Sequence, residues 1–349
     1  MLRIASFCMS VLCLAGCQLA WNTARPIAPA RDGALSAEPP LAAAADAADK
    51  LKIAVIPKGT THDFWKSIHA GAIKAARELD VEVIFRGPEK EDDREQQIAL
   101  VQNFISARVD AIVLAPLDDH ALLAPVRQAT AAKVPVVIID SGVNGEVGKD
   151  FVSFVATDNL KGGRLGGERL GQVTGGKGSV LLLRYQEGSA STDERERGFT
   201  EALAKFSGIK LIDPKRYAGA TPATAQEASE NLLSAHRDLA GIFCPNESST
   251  FGMLLALRGR GLAGKVRFVG FDASPALVEA LEKGELDGLV VQNPMRMGYL
   301  GVKTAVAALR GEKVEPRIDT GVEIVTKDTM DKPEILELIK PDLAKYLDK

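Results

Sequence analysis

The chain reads as an α/β protein of two lobes, each built on a doubly wound parallel sheet, and three observations lead to that fold class. Short apolar runs rich in β-branched residues alternate with longer stretches of helical period, the pattern of strand, helix and parallel strand units. The short runs are apolar almost without interruption, as strands covered by helices on both faces must be. The alternation runs through one series and then begins again, in a chain whose 349 residues exceed the roughly 100 to 200 of a usual single domain.

The first series opens with a strand at 51–56, Leu51-Lys52-Ile53-Ala54-Val55-Ile56, followed by an amphipathic helix over 63–79. Strands follow at 81–85, 111–115 and 134–139, separated by helices near 94–107 and 121–132, and a further strand at 151–156 leads onward. The second series places strands at 179–184, 209–212, 241–244, 268–271 and 288–291. Its helices fall near 161–173, 193–205, 224–235, 249–259 and 275–283. The expectation is two parallel sheets of about five strands each.

Ahead of this unit lies a different kind of sequence. Arg3 precedes an apolar run over 4–15, shorter than the roughly 20 residues a membrane-spanning helix needs, which reads as a signal peptide over 1–16. It ends in Leu14-Ala15-Gly16-Cys17, which resembles the bacterial lipoprotein lipobox and implies acylation of Cys17 at the mature N-terminus. Residues 17–50, with Pro26, Pro29, Pro39 and Pro40 among many alanines, read as a flexible tether. Cys8 and Cys13 fall in the signal peptide, and with Cys17 acylated Cys244 has no disulfide partner within the chain. With 43 Lys plus Arg against 46 Asp plus Glu, the formal charge of -3 gives no basic field for nucleic acid.

Right-handed crossovers bring all strand C-termini of a parallel sheet to one edge, where ligands bind, so the residues after each strand carry the information. After the first strand come Lys58, His62, Phe64 and Trp65, and after the fourth Asp140-Ser141-Gly142. The second series offers 187–192 leading into Arg195, then Asn246, Asp272 and Gln292. Carboxylates, amides and a guanidinium exchange hydrogen bonds with several hydroxyls at once, and aromatic faces cover C–H patches, a set that suits a polyhydroxyl ligand. Other readings stand beside this one. Asp272 precedes Ser274-Pro275 as a helix-start residue would, Asn246 can cap a helix near Ser249, and Asp63 can cap the first helix. Arg195 sits in the charged run Asp193-Glu194-Arg195-Glu196-Arg197, the pattern of a solvated face.

Five segments together carry a family resemblance: 53–71, the Asp140 strand end, Ala156-Thr157-Asp158-Asn159, Arg195-Glu196-Arg197-Gly198-Phe199 and Val269-Gly270-Phe271-Asp272. They resemble the ribose-binding-protein family of bacterial periplasmic sugar receptors, and the match runs from about residue 51 to about 325. The resemblance implies the type I periplasmic binding protein fold, with one lobe of residues 51–157 plus 293–325 and another of 158–292. Three hinge crossings near 157–158, 292–293 and 324–326 join them, and 326–349 forms a C-terminal extension. It further implies a sugar between the lobes, with Phe64 and Trp65 as aromatic walls, Asp140 and Asp272 accepting from hydroxyls, and Arg195 donating to ring or anomeric oxygens. Asn246 and Gln292 fall on contact positions too. The chain departs from the ribose pattern at Lys58, where a small hydroxyl residue is usual, at His62, where an amide is, and at Ser141, where an Arg is. Around 216–221 no aromatic stands at the second-lobe wall; Ala220 falls closest and Tyr217 is near. These departures point away from ribose itself. The Ile56-Pro57-Lys58 turn is similar to that of receptors for the cyclic autoinducer-2 signal, and Lys58 also suits an acidic sugar.

No catalytic motif competes. The segment 171–178 approaches a phosphate-binding loop but has Gly where Ser or Thr should stand and precedes a strand. There is no dinucleotide-binding glycine turn and no nucleophile elbow, and His62, His69, His120 and His236 lack zinc-ligand spacing. The resulting expectation is a binding protein without enzymatic activity, cofactor or metal. It is exported, anchored through lipid at the periplasmic or outer cell surface, monomeric, and delivers a sugar or polyol to an ABC-type permease. The alternative is a receptor that presents its ligand to a chemosensory or two-component sensor. A sugar-responsive transcription regulator would need a helix-turn-helix where this chain has its leader and tether.

Overall fold

The computed structural model describes residues 50–347. The expected signal peptide, the acylation site Cys17 and the tether up to residue 49 lie outside the described residues, and Asp49–Lys349 is a compact unit by itself. Its first series comprises β1 (Lys52–Ile56), α1 (Asp63–Leu79), β2 (Glu82–Phe85), α2 (Arg94–Ser106), β3 (Ala111–Leu114), α3 (Leu123–Ala131), β4 (Val136–Ile139) and β5 (Ser153–Ala156). The second comprises α4 (Asn159–Val173), β6 (Lys177–Leu182), α5 (Ala190–Leu203), β7 (Gly208–Ile212), α6 (Pro222–Ala235) and β8 (Leu239–Phe243). It continues through α7 (Glu247–Gly259), β9 (Arg267–Phe271), α8 (Pro275–Glu282) and β10 (Gly288–Gln292). The chain closes with α9 (Pro294–Leu309), β11 (Arg317–Asp319), β12 (Val322–Val325), α10 (Pro333–Ile339) and α11 (Ala344–Leu347).

The two sheets share one strand order: β11-β5-β4-β3-β1-β2 and β12-β10-β9-β8-β6-β7. Strands β3, β4, β8 and β9 contribute core residues on both faces, which is why their sequences are apolar without alternation. Each sheet has six strands, one more than expected, because β11 and β12 add an edge strand to each. The second sheet is not wholly parallel, since β12 runs antiparallel to β10. This also corrects the expected first-lobe segment 293–325: β11 pairs with β5, but Val322–Val325 belongs to the second sheet. The third crossing therefore lies at Thr320–Gly321 and not at 324–326, where Gly321, at φ 90°, takes the left-handed conformation the turn needs.

Helix α9 was not read from the sequence because Gly298 and Gly301 dilute its apolar period. Their use is close packing. A Cβ at Gly298 would stand 2.0 Å from the Ile68 carbonyl oxygen and one at Gly71 1.9 Å from that of Met295, so α1 and α9 meet backbone to backbone.

The C-terminal extension is integral to the packing. Met330, Ile335 and Ile339 are buried in the second lobe's core, while Arg77 of α1 donates to the carbonyls of Lys345 at 2.9 Å and Tyr346 at 3.0 Å. Burial of each such apolar side chain contributes about 1.5–3 kcal/mol, so truncation after Val325 is expected to lower the melting temperature by several degrees. Thermal unfolding followed by circular dichroism checks this; a truncated form that melts with the parent would refute it. Among the described residues no helix is long and apolar enough to cross a membrane.

Candidate functional site

Two aspartates mark the equivalent place in the two lobes. Asp140 follows β4 and Asp272 follows β9, the fourth strand of each series, and both take left-handed backbone, φ 61° and 70°. Their N–H groups donate to the next strand, to Val155 O at 3.2 Å and Val290 O at 2.8 Å. Non-glycine residues held in this region are uncommon and cost free energy, so the surrounding packing imposes the conformation and aims both carboxylates into the cleft. Asp272 does not cap α8, whose N-cap is Ser274. Its Oδ2 accepts from the Glu247 N–H at 2.9 Å and its Oδ1 from Gln292 Nε2 at 2.7 Å.

Arg195 lies buried on α5, not on a solvated face. Helix α5 presses against α4 so closely that a Cβ on Gly163 would stand 2.0 Å from the Arg195 carbonyl oxygen, which fixes the guanidinium's origin. Its Nε donates to Asn159 Oδ1 at 2.8 Å, its Nη1 to Pro245 O at 3.0 Å, and its plane lies 4.1 Å over the Phe271 ring. Among the described residues its Nη2 has no hydrogen-bond partner, and Asp140 Oδ1 lies 4.0 Å away. Burial pulls the Arg195 pKa down, against the opposing effect of Asp272 and Asp140. Gln292 Oε1 is a second buried atom without a partner.

Lys58, two residues after β1, is buried and held from both lobes. Its Nζ lies 3.2 Å from Asp140 Oδ2, 3.1 Å from Ser191 Oγ and 3.3 Å from Ser189 Oγ. Glu91, from the loop after β2, is the hub of the first-lobe wall. Its Oε1 stands 2.6 Å from both Trp65 Nε1 and His62 Nδ1, and its Oε2 accepts from the Tyr185 hydroxyl of the second lobe at 2.6 Å. Burial alone would raise the Glu91 carboxyl, but His62, Lys58 and Tyr185 outweigh it and hold the group at about 2. Burial alone would lower His62, but Glu91, with Glu247 and Asp272, holds it up at about 9. Phe64 packs edge-on to Trp65 with ring centroids 4.9 Å apart.

Nine of the ten ligand-site residues read from the sequence line one cavity: Lys58, His62, Phe64, Trp65, Asp140, Arg195, Asn246, Asp272 and Gln292. Ser141 is not in the lining; its Oγ accepts from the Ser191 N–H at 3.1 Å. Asn246 lines the cavity but its amide is engaged locally, capping α7 through Ser249 and donating to Ser248 Oγ at 3.1 Å. Sequence reasoning missed Glu91, Tyr185 and Glu247. Tyr185 follows the end of β6 and was within reach of the strand-end rule; it is the second-lobe aromatic in the lining, whereas Tyr217 is exposed. Glu91 gave no such signal, since Glu89-Lys90-Glu91-Asp92-Asp93 reads as a solvated run.

The cavity's free volume is only about 30 Å³, room for roughly two water molecules, because side chains of the two lobes touch across it. A larger open groove of about 1120 Å³ lies between α9 and the C-terminal segment, lined by side chains such as Lys74, Lys332 and Lys345. Among the described residues none of the buried unpartnered side-chain atoms lies there, whereas Arg195 Nη2 and Gln292 Oε1 belong to residues lining the smaller cavity.

Two equivalent α/β lobes with a polar, aromatic-walled cleft between them define a two-lobed receptor. Residues 53–313 match the model of the periplasmic binding protein domain, and the chain belongs to that family, in its ribose-binding group. It is 30% identical over 288 residues to the ribose import binding protein of Escherichia coli, covering 81% of this chain and 93% of the relative. Identity to the D-ribose/D-allose-binding protein of Pseudomonas aeruginosa is 30% over 291 residues, 81% of this chain and 91% of that one. Among solved structures, an ABC transporter solute binding protein from Agrobacterium vitis with bound D-fucose superposes with a TM-score of 0.79 at 38% identity, covering 82% of this chain and 99% of the other. A carbohydrate transporter solute binding protein from Agrobacterium radiobacter, in complex with D-arabinose, gives 0.79 at 36% identity, over 84% and 99%. The family is one of periplasmic substrate-binding proteins and not of enzymes.

Proposed function

We propose that the chain captures a neutral monosaccharide or polyol between its lobes and delivers it to an ABC-type permease, as a monomer held at the membrane through acylated Cys17. The observation that carries this reading is the pair of buried, unpartnered atoms in the cavity wall, the donor Arg195 Nη2 and the acceptor Gln292 Oε1. Buried polar groups are otherwise almost always satisfied, and a hydroxyl can serve either atom. Asp140 and Asp272 accept further hydroxyls, and Phe64 and Trp65 face the ring's C–H patch.

Charge argues for a neutral ligand. Lys58 is already paired with Asp140, and the lining holds Glu91, Asp140, Glu247 and Asp272 against Lys58, His62 and Arg195. An acidic sugar would add a charge to a site whose cations are already matched by carboxylates. The small free volume means that a sugar enters with the lobes apart and is enclosed as they close about the crossings at 157–158, 292–293 and 320–321.

Thermal unfolding of the soluble form beginning at Asp49, against D-fucose, D-arabinose, D-ribose, D-allose, a uronate and a sugar phosphate, tests this. A ligand at a thousand times its Kd adds about 4 kcal/mol, a shift of several degrees. A shift with a neutral member alone is the expected result; a shift with the anions alone would overturn the neutral class. With the sugar that shifts the parent, Asp140→Ala and Asp272→Ala are each expected to weaken binding at least about tenfold, the equivalent of losing one charge-assisted hydrogen bond.

A further inference from the structure

Helices α1 and α5 both begin at the cleft, and neither carries a side-chain cap of its own. The N-cap residues His62 and Ser189 make no side-chain bond to the first turn. By contrast α4, α7 and α9, which also start beside the cleft, are capped locally by Asp158, Asn246 and Asn293. A helix leaves its first N–H groups without intrahelical acceptors, so those of α1 and α5 need another source.

That source is the opposite lobe in both cases. Glu247 of the second lobe accepts from the Asp63 N–H through Oε1 at 3.2 Å and from the Phe64 N–H through Oε2 at 3.0 Å. Ser141 of the first lobe accepts from the Ser191 N–H through Oγ at 3.1 Å. The two arrangements are reciprocal, each lobe finishing a helix of the other. Glu247 places a carboxylate at a helix N-terminus, the end that favours negative charge. It is itself held by Asp272, which accepts from its N–H at 2.9 Å.

We infer that Glu247 and Ser141 are positioning residues that latch the closed form by capping α1 and α5 across the cleft. When the lobes part, the three N–H groups lose these acceptors and the helix ends carrying Phe64 and leading to Arg195 are left uncapped. Closing restores both caps and sets the two helices at the separation in which the cavity is complete. The latch thus biases the open-to-closed equilibrium with contacts that the ligand need not make. It explains Ser141, which stands outside the cavity lining although its sequence position adjoins Asp140.

The inference rests on the proposed opening and closing, but its test needs no sugar. Amide hydrogen exchange on the form beginning at Asp49 reads the caps directly. Glu247→Ala is expected to speed exchange at Asp63 and Phe64 at least about tenfold, and Ser141→Ala to do the same at Ser191. Amides in the first turns of α4 and α9 should keep the parent's rates, which general destabilisation would not allow. Glu247→Gln, which keeps an amide oxygen as acceptor, should fall between parent and Glu247→Ala. Spin labels on exposed Gln102 and Glu227, one in each lobe, should show a larger share of the longer distance in the Glu247→Ala, Ser141→Ala double variant. Equal exchange at the three amides in parent and variants, fast or slow, overturns the latch, as does an unchanged distance distribution. Failure of every sugar to shift the parent's melting would instead overturn the ligand reading and leave the exchange result standing.

Discussion

Replacing Arg195 by alanine is expected to abolish measurable sugar binding and to destabilise the second lobe by about 3–5 kcal/mol, the cost of breaking a buried charge set by removing one member. The guanidinium holds Asn159 Oδ1 and Pro245 O and covers the Phe271 ring, so its loss strands an amide oxygen and a carbonyl and opens a void over an aromatic face. It also removes the cation whose field opposes the rise that burial imposes on the Asp272 carboxyl. Arg195→Lys should not rescue either property. An ammonium is a compact point charge and cannot present three donors in a fixed plane to Asn159, Pro245 and a ligand oxygen together. Isothermal titration with the sugar found by thermal shift and urea unfolding measure the two losses separately. Binding within tenfold of the parent in Arg195→Ala would remove this residue from the site.

The fold was legible because its signal is periodic. Ten of the core strands reveal themselves as short apolar runs, and Asp140 and Asp272 stand where the strand-end rule looks. The edge strands β11 and β12, of three and four residues, carry half-buried patterns too short for a period to emerge. Site residues adjoining strand ends in sequence were found; those brought in by tertiary structure were not. Glu91 sits in an acidic run whose members are otherwise surface groups, and only the approach of His62, Trp65 and Tyr185 turns it into a buried hub. Glu247 follows a capping Asn246 and reads as an ordinary first-turn acid, favourable to its own helix. Its bonds to Asp63 and Phe64, 184 and 183 residues away, depend on how the two lobes meet. Ser141 was placed by the resemblance at a ligand position; it stands outside the lining, and its Oγ accepts from the Ser191 N–H at the start of α5 across the cleft.

The second large effect is a stability that falls as pH rises, with Glu91 as its control. His62 is held at about 9 in the folded protein against an ordinary 6.5, so its contribution is fully present below pH 6.5 and is lost as pH climbs through 9. Glu91 is held at about 2 against 4.5, so its contribution is present above pH 4.5 and is lost as pH falls toward 2. Both shifts describe one ion pair, counted once, and its full strength spans about pH 4.5 to 6.5. Two buried glutamates tilt the curve the same way. Burial raises Glu196, against the Tyr185 N–H and Arg184, and raises Glu247, against His62, each to about 7. Both therefore take up protons on folding between pH 4.5 and 7, which makes ionisation above that range a cost. Maximum stability is accordingly expected near pH 5, with a decline toward pH 9 of roughly 3 kcal/mol from His62, at about 1.4 kcal/mol per pKa unit. Glu91→Gln keeps the size and a hydrogen-bond acceptor for Trp65 Nε1 but removes the charge that holds His62 protonated. In that variant only Glu247 and Asp272 remain to oppose burial at His62, so the slope between pH 7 and 9 should shrink while overall stability at pH 6 drops. Urea unfolding of parent and variant at pH 5, 7 and 9 measures both slopes. A parent curve flat across this range, or a Glu91→Gln curve as steep as the parent's, would show that the His62–Glu91 pair does not join the walls of the site as an ion pair.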